Sequence, residues 1–91
     1  MWSLVSTSGF ERRLERFRRL HPELRAEIAR LLLDLESDPF QPHLRLHALR
    51  GKLEGLHAVR LTRSYRLTCK LRAAEREIVL LDVGAHDEVY H

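Results

Sequence analysis

The fold is decided by residues 78–90, which read Ile78-Val79-Leu80-Leu81-Asp82-Val83-Gly84-Ala85-His86-Asp87-Glu88-Val89-Tyr90. The run up to Val83 is mostly apolar, rich in β-branched residues and too short for a typical helix. It therefore predicts a strand that is buried on both faces. A glycine ends the run, and His86, two acids and Tyr90 follow at once. Because a buried strand is rigid, polar side chains just past its end are held firmly enough for chemistry.

Composition limits the chain to one small domain over residues 1–91. It has 91 residues, 44% of them hydrophobic, which is enough for one core. Cys69 is the single cysteine, so no intramolecular disulfide can form, as is common in the reducing cytoplasm. We find no signal-peptide pattern and no apolar segment as long as a membrane span. These features predict a cytoplasmic protein with no membrane partner.

The positive charge is concentrated in one part of the chain. The net charge is +3, and between His43 and Arg72 the only acid is Glu54. The basic residues of this interval, called the basic stripe below, are Arg45, Arg50, Lys52, Arg60, Arg63, Arg66, Lys70 and Arg72. A basic stripe on strand-forming sequence fits phosphate binding. The alternative is a solvated sheet face.

The first half of the chain predicts a short strand and a helical hairpin. Residues 2–7 read as the strand, and Ser8 with Glu11 fits a capping box that begins a helix. The apolar stripe of this first helix consists of Phe10, Leu14 and Phe17. A second helix follows His21-Pro22, carries Leu24, Ile28, Leu31 and Leu35 at helical spacing, and ends in the proline-containing residues 37–42.

The second half predicts a sheet. Residues 44–55 contain two glycines and read as a loop, whereas residues 56–62 and 65–71 read as strands. Side-chain alternation places Val59 and Leu67 on one face only if an odd number of residues joins the strands. The core face then also receives Leu61, Tyr65, Cys69, Leu71, Val79, Leu81 and Val83. Arg60, Arg66 and Asp82 fall on the opposite face. The expected fold class is α+β, with the order β-α-α-β-β-β, an antiparallel-rich twisted sheet and the helical hairpin on one face.

Three groups of residues carry a family resemblance. They are His47-x-Leu49-x-Gly51, the run from Arg60 through Tyr65-Arg66-Leu67, and Gly84-x-His86-Asp87-Glu88-Val89-Tyr90. In this order the sequence resembles the RelE/ParE toxin superfamily, and most closely the RelE- and YafQ-like mRNA interferases of type II toxin–antitoxin systems. The resemblance implies a RelE-like fold and a ribosome-dependent endoribonuclease that cuts mRNA in the ribosomal A site without a cofactor. It also implies an antitoxin encoded beside the toxin and a hetero-oligomer with it.

The resemblance also implies which residues act. His47 and His86 match catalytic histidines of the YafQ-like enzymes, and Arg66 and Tyr90 match the arginine and tyrosine of the RelE-like enzymes. Arg60 falls where relatives carry a basic or histidine side chain. RNA-binding candidates are Arg45, Arg50, Lys52, Arg63 and Lys70. Ser64 stands where a YafQ-like enzyme has an acid, so the division of acid and base roles between the histidines is left open.

The chemistry of RNA cleavage accounts for these residue types. A metal-independent reaction must deprotonate the 2′-hydroxyl, neutralise the phosphorane and protonate the 5′-oxygen. Histidine suits either proton transfer, and the planar fork of arginine suits the phosphorane. The histidine spacing does not fit a zinc site.

Several alternatives remain open at this stage. Arg66 could instead form a structural ion pair with Asp82 or Glu54. Two other functions compete with cleavage, namely a ParE-like inhibitor of DNA gyrase and a catalytically degenerate protein that only binds an antitoxin.

Overall fold

The structure, a computed structural model, describes residues 1–85. Over this range the chain forms one five-stranded sheet of order β1-β5-β4-β3-β2 and two α-helices. The elements are β1 (Ser3–Ser6), α1 (Ser8–Leu20), α2 (Arg25–Ser37), β2 (His47–Ala48), β3 (His57–Arg60), β4 (Tyr65–Arg72) and β5 (Glu77–Ala85). β1 pairs with β5 in parallel, and the other pairs are antiparallel. No helix among these residues is long and apolar enough to cross a membrane.

The α+β architecture with a helical hairpin is confirmed, with one addition. Residues 47–48 were expected to lie in a loop, but His47 pairs with Ala58 and Ala48 with His57. They form a two-residue edge strand, so the observed order is β-α-α-β-β-β-β. The strand expected over residues 56–62 is shorter than predicted, because the chain bends away after Arg60.

The core lies between the two helices and one face of the sheet. The predicted helical stripes are buried as expected, with Phe10, Leu14 and Phe17 on α1 and Ile28, Leu31 and Leu35 on α2. They pack in one cluster with buried residues of the sheet, among them Val59, Leu67, Cys69, Ile78 and Leu80. Burial of a side chain of this size contributes about 1.5–3 kcal/mol, so this layer supplies most of the stabilisation.

The hairpin between β3 and β4 has the register that alternation required. Val59 lies opposite Leu67 and Arg60 opposite Arg66, so five residues, an odd number, separate that last pair. Val59, Leu67 and Cys69 are all buried on the core face. Leu61, Tyr65 and Leu71 are partly buried against the same cluster, as predicted.

The core face of β5 was predicted correctly at Val83 but wrongly at Val79 and Leu81, because the strand contains a β-bulge. Thr68 lies opposite Asp82 and Cys69 opposite Leu80, so Leu81 has no partner on β4. The extra residue reverses the alternation, and the core therefore receives Ile78 and Leu80 before the bulge and Val83 after it. Val79 and Leu81, which were assigned to the core face, are only partly buried.

Asp82 was expected on the face of the arginines, and the strand register agrees, because Asp82 lies opposite Thr68, which alternates with Arg66 along β4. Its carboxylate lies 3.8 Å from Nε of Arg13 on α1 and accepts a hydrogen bond of 2.8 Å from the Val83 backbone. The acid is therefore paired with Arg13 and not with an arginine of the basic stripe.

The start of α1 differs by one residue from the predicted capping box. The N-cap is Thr7, whose hydroxyl accepts a hydrogen bond of 3.1 Å from the Phe10 backbone. The Glu11 carboxylate instead accepts a 2.7 Å bond from the hydroxyl of Ser6. Ser8 is the first residue inside the helix and makes no capping bond.

We predict that Thr7→Ala lowers the free energy of unfolding by about 1 kcal/mol, because the Phe10 N–H loses its partner. Ser8→Ala is the matched control, since it removes a neighbouring hydroxyl that caps nothing. Urea denaturation of the two variants measures the difference. Equal losses in both variants would contradict the assignment of Thr7 as the cap.

Candidate functional site

Three of the five predicted catalytic residues meet in one cleft on the open face of the sheet. His47, Arg60 and Arg66 line it together with Arg45 and Leu46, and its volume is about 420 Å³. The strands produce this arrangement directly. Arg60 and Arg66 are opposite each other in the β3–β4 register, and His47 lies on β2 beside Ala58 of β3. Side chains at paired positions lie on the same face of a sheet, so the arginines face the cleft together.

Arg66 is oriented by backbone carbonyls. Its Nη1 donates to the carbonyl oxygens of Thr62 at 3.1 Å, Tyr65 at 3.3 Å and Arg63 at 3.4 Å. The bend between β3 and β4 therefore surrounds one corner of the guanidinium. The expected alternative, an ion pair with Asp82 or Glu54, does not occur, and no carboxylate of residues 1–85 is within salt-bridge distance of Arg66. Its other nitrogens retain N–H groups that can bind an anion.

Arg45 and His47 are linked by a hydrogen bond from the His47 ring. Nδ1 of His47 lies 2.8 Å from the Arg45 carbonyl oxygen. A carbonyl only accepts, so Nδ1 carries the hydrogen, and in the neutral ring Nε2 holds the lone pair. Arg45 itself has φ 51° and ψ 45°, in the left-handed region, at the end of the turn Pro42–Leu44. This conformation costs a residue other than glycine about 1–2 kcal/mol, and it turns the chain toward β2.

The positive charge around the cleft is not neutralised by acids of the described chain. Within residues 1–85, Arg72 is the one member of the basic stripe with an ion pair, at 3.4 Å to Glu75 and 3.6 Å to Glu77. The remaining seven members have no ion pair with an acid of the described residues. The stripe therefore divides into a structural end at Arg72 and an uncompensated part around the cleft. Uncompensated positive charge on a concave surface attracts polyanions.

The other candidates lie around the cleft or outside the description. Arg50 and His47 line an adjoining hollow of about 290 Å³. Lys52 lies in the turn Gly51–Leu53, Arg63 lies in the bend before β4, and Lys70 is exposed on β4 on the same side as Arg66 by alternation. His86 and Tyr90 lie outside the described residues.

Sequence reasoning did not find one pair of residues beside the cleft. Nε2 of His43 lies 3.0 Å from Oδ2 of Asp34, and both residues line a groove next to Arg45 and Arg60. The pair joins α2 to the turn after it, across a segment with two prolines. No local pattern signals such a contact.

The geometry also bears on a reactive cysteine and on a metal site. Burial raises the pKa of the Cys69 thiol to about 12, so the thiol stays protonated near neutral pH and is a packing residue. Among residues 1–85, no three His, Cys, Asp or Glu side chains are grouped so that they could hold a metal ion.

Comparison with solved structures identifies the fold. The YoeB/ParE toxin from Agrobacterium tumefaciens superimposes with a TM-score of 0.75 at 19% identity, over 92% of this chain and 98% of that one. YafQ from E. coli strain BL21(DE3) gives 0.73 at 13% identity, over 100% of both chains. A chain of the toxin–antitoxin complex RelBE2 from Mycobacterium tuberculosis gives 0.73 at 23% identity, over 93% of this chain and 98% of that one.

The protein therefore has the fold that these toxins share, which is the fold that the resemblance in sequence implied. No protein-family model matches the chain, and no curated protein does. At these identities the likeness establishes the fold, and function has to be argued from the cleft.

We predict that Arg45→Ala and Arg45→Gly weaken the binding of single-stranded RNA equally and make the negative slope of log K against log salt less steep by about 0.7, the value for one phosphate contact. Their stabilities should differ, because glycine adopts the left-handed conformation without cost and alanine does not. Fluorescence anisotropy across a salt series and urea denaturation measure the two effects.

Arg72→Ala is the control for this prediction, since Arg72 is held by Glu75 and Glu77. If this variant changes the slope as much as the Arg45 variants do, the assignment of Arg45 to the binding surface is wrong.

Proposed function

We propose that the chain is the toxin of a type II toxin–antitoxin system and acts as a ribosome-dependent endoribonuclease on mRNA. The observation that supports this most directly is the cleft, in which His47, Arg60 and Arg66 meet with no acid of residues 1–85 among its lining residues. The fold supports it independently, since the similar solved structures include toxins and the chain of a toxin–antitoxin complex.

The geometry suggests how the reaction proceeds. Nε2 of His47 is the nitrogen with the lone pair, because Nδ1 donates to the Arg45 carbonyl. We assign to it the role of general base, which removes the proton of the 2′-hydroxyl so that the oxygen attacks the adjacent phosphorus. Arg60 and Arg66 bind the phosphorane oxygens, where charge increases in the transition state.

Collapse of the phosphorane breaks the bond from phosphorus to the 5′-oxygen. His86 is assigned as the acid that protonates this oxygen, and Tyr90 as the residue that contacts the RNA beside it. The products are a 2′,3′-cyclic phosphate and a 5′-hydroxyl, so no water or cofactor is consumed in this step. The assignments of His86 and Tyr90 rest on their sequence match alone.

The partner of such a toxin is an antitoxin encoded beside it. The uncompensated arginines of the cleft would attract an acidic segment of that antitoxin, which would exclude mRNA from the same surface. A flexible acidic segment that folds on binding is degradable when free, and this would make the inhibition reversible. A hetero-oligomer of toxin and antitoxin is the expected resting form.

A second function is favoured by one observation. One of the similar structures is named as a YoeB/ParE toxin, so the same fold is compatible with a ParE-like inhibitor of DNA gyrase. A gyrase inhibitor needs a binding surface but no proton transfer. The histidine that faces the arginine pair is unexplained under that function, which is why cleavage is preferred. A degenerate toxin that only binds its antitoxin would also have no need for a histidine beside the two arginines.

We predict that His47→Ala and His86→Ala lower the rate of mRNA cleavage on ribosomes by about a hundredfold to ten-thousandfold, as expected for proton-transfer groups. Tyr90→Ala should also reduce the rate sharply, because a contact with the RNA is lost. Arg66→Ala should lower it by about a hundredfold to a thousandfold, because a donor to the phosphorane is lost. Primer extension on ribosome-bound mRNA after brief induction measures these rates.

The control is again Arg72→Ala, which removes an arginine of the same stripe but outside the cleft. This variant should cleave at the parent rate. If folded Arg66→Ala and His47→Ala proteins cut as well as the parent, the proposed chemistry is wrong. Growth arrest without cleavage, accompanied by gyrase-dependent DNA damage, would favour the ParE-like function.

A further inference from the structure

A second and larger cavity adjoins the cleft. It is a groove of about 560 Å³ between α2 and the segment that leads from Pro42 into β2. Arg45 and Arg60 line both the cleft and the groove. A ligand bound at these two arginines therefore has access to both spaces. Neither the fold comparison nor the proposed chemistry gives this groove a function.

The two sides of the groove differ in charge. Arg45 and Arg60 are on the side of the cleft, whereas the α2 side carries Glu27, Asp34 and the Arg30 that pairs with Asp34. The Asp34 carboxylate is already engaged, at 3.0 Å to His43 Nε2 and 3.8 Å to Arg30 Nε, and only 22% of its side chain is exposed. Glu27 is exposed and has no ion pair with any basic residue of the described chain. It is therefore the acceptor that remains available to a ligand.

The remaining lining of the groove includes three leucines, Leu31, Leu44 and Leu61. Leu31 and Leu44 are buried, and Leu61 packs against the core from its edge. Leu61 offers a flat ring most of the apolar surface between the two sides, with Leu31 and Leu44 lying beneath it. The space of about 560 Å³ falls within the range of small-molecule sites, roughly 300–1,000 Å³.

We propose that the groove binds the nucleobase of the nucleotide next to the phosphate held by Arg45 and Arg60, and that it prefers a base with an exocyclic amino group. This inference rests on the proposed function, since it takes the ligand of the cleft to be a single RNA strand. The polarity of the groove matches that of a nucleotide. The anionic phosphate meets the arginines, the ring lies on the leucines, and the amino group donates to the Glu27 carboxylate.

The acidic side of the groove explains why a base, and not a further phosphate, occupies this space. A phosphate beside Glu27 would meet a negative charge that no basic residue of the described chain pairs, and this charge repels it in a partly desolvated site. An amino group is a donor without charge, and a carboxylate accepts from it as it does from N4 of cytosine. A carbonyl at the same place, as in uracil, would oppose the carboxylate with another acceptor.

Cytidine and uridine 5′-monophosphate provide a matched pair of probes, because they have nearly the same shape and differ at the amino group. Titration of the full chain, followed by NMR of the leucine methyl groups, should show shifts at Leu31, Leu44 and Leu61 with the cytidine nucleotide. We expect it to bind about tenfold more tightly than the uridine nucleotide, the effect of one hydrogen bond to a charged group. Ribose 5-phosphate, which has no base, should leave these methyl groups unshifted.

Glu27→Gln should reduce this tenfold preference to about twofold or less, because an amide accepts less strongly than a carboxylate. Glu27→Gln removes a negative charge, and this change alone would strengthen the binding of any anion. If the variant binds the cytidine nucleotide more weakly, the cause is therefore the lost hydrogen bond and not the changed charge. Glu15→Gln on α1 removes the same charge at a residue that does not line the groove and serves as the control. It should keep the full preference.

The outcomes separate this inference from the proposed function. Equal affinity for cytidine and uridine nucleotides and ribose 5-phosphate would overturn the base subsite, while mRNA cleavage could still be intact. If the chain binds nucleotides with a base preference but never cleaves mRNA on ribosomes, the proposed function is wrong. The premise that the ligand of the cleft is an RNA strand then fails as well. Leucine shifts caused by an antitoxin peptide and by no nucleotide would assign the groove to that partner and also overturn the base subsite.

Discussion

The register between β3 and β4 fixes the core and the cleft at the same time. Val59 opposite Leu67 buries two apolar side chains against the helices, and the next pair, Arg60 opposite Arg66, faces the other side. A slip by one residue would put the arginines into the core and the apolar residues into solvent. The burial of the helical hairpin therefore enforces the position of the arginines. The cleft therefore depends on the fold through the β3–β4 register.

The same alignment opposes stability locally. Two arginines directly across a strand pair repel each other, which costs up to about 1 kcal/mol, and no acid of the described chain compensates them. Arg45 adds about 1–2 kcal/mol through its left-handed backbone. The burial of residues such as Phe10, Leu35 and Ile78 offsets these costs. Local conflicts of this kind are typical of functional sites, where bound charge removes the repulsion.

Some parts of this structure could be predicted because they depend on regular spacing in the sequence. The apolar stripes of both helices follow from helical spacing, and the odd number of residues in the β3–β4 loop follows from the alternation of side chains along the strands. The bulge at Leu81 could not be predicted, since an apolar strand carries no local mark of one extra residue, and the misplacement of Val79 and Leu81 followed from it. β2 was missed because its two residues form a strand only through pairing with His57 and Ala58. In the candidate site, family resemblance found His47 and Arg66, whereas the groove depends on long-range packing of α2 that no short motif encodes.

The site uses backbone carbonyls where a structural protein would use acids. Three carbonyls bind Arg66 and one binds His47, so these bonds orient both side chains without placing a negative charge beside them. A carboxylate would orient an arginine as well, but it would also neutralise the charge that a phosphate needs. Ser64, in the bend that supplies these carbonyls, is consistent with this arrangement, because it adds no negative charge and its backbone donates to the Thr62 hydroxyl at 3.2 Å. An acid at that position would lie beside the bend that holds Arg66. Because Ser64 is not an acid, the cleft keeps a more positive potential, and this strengthens the binding of an anion.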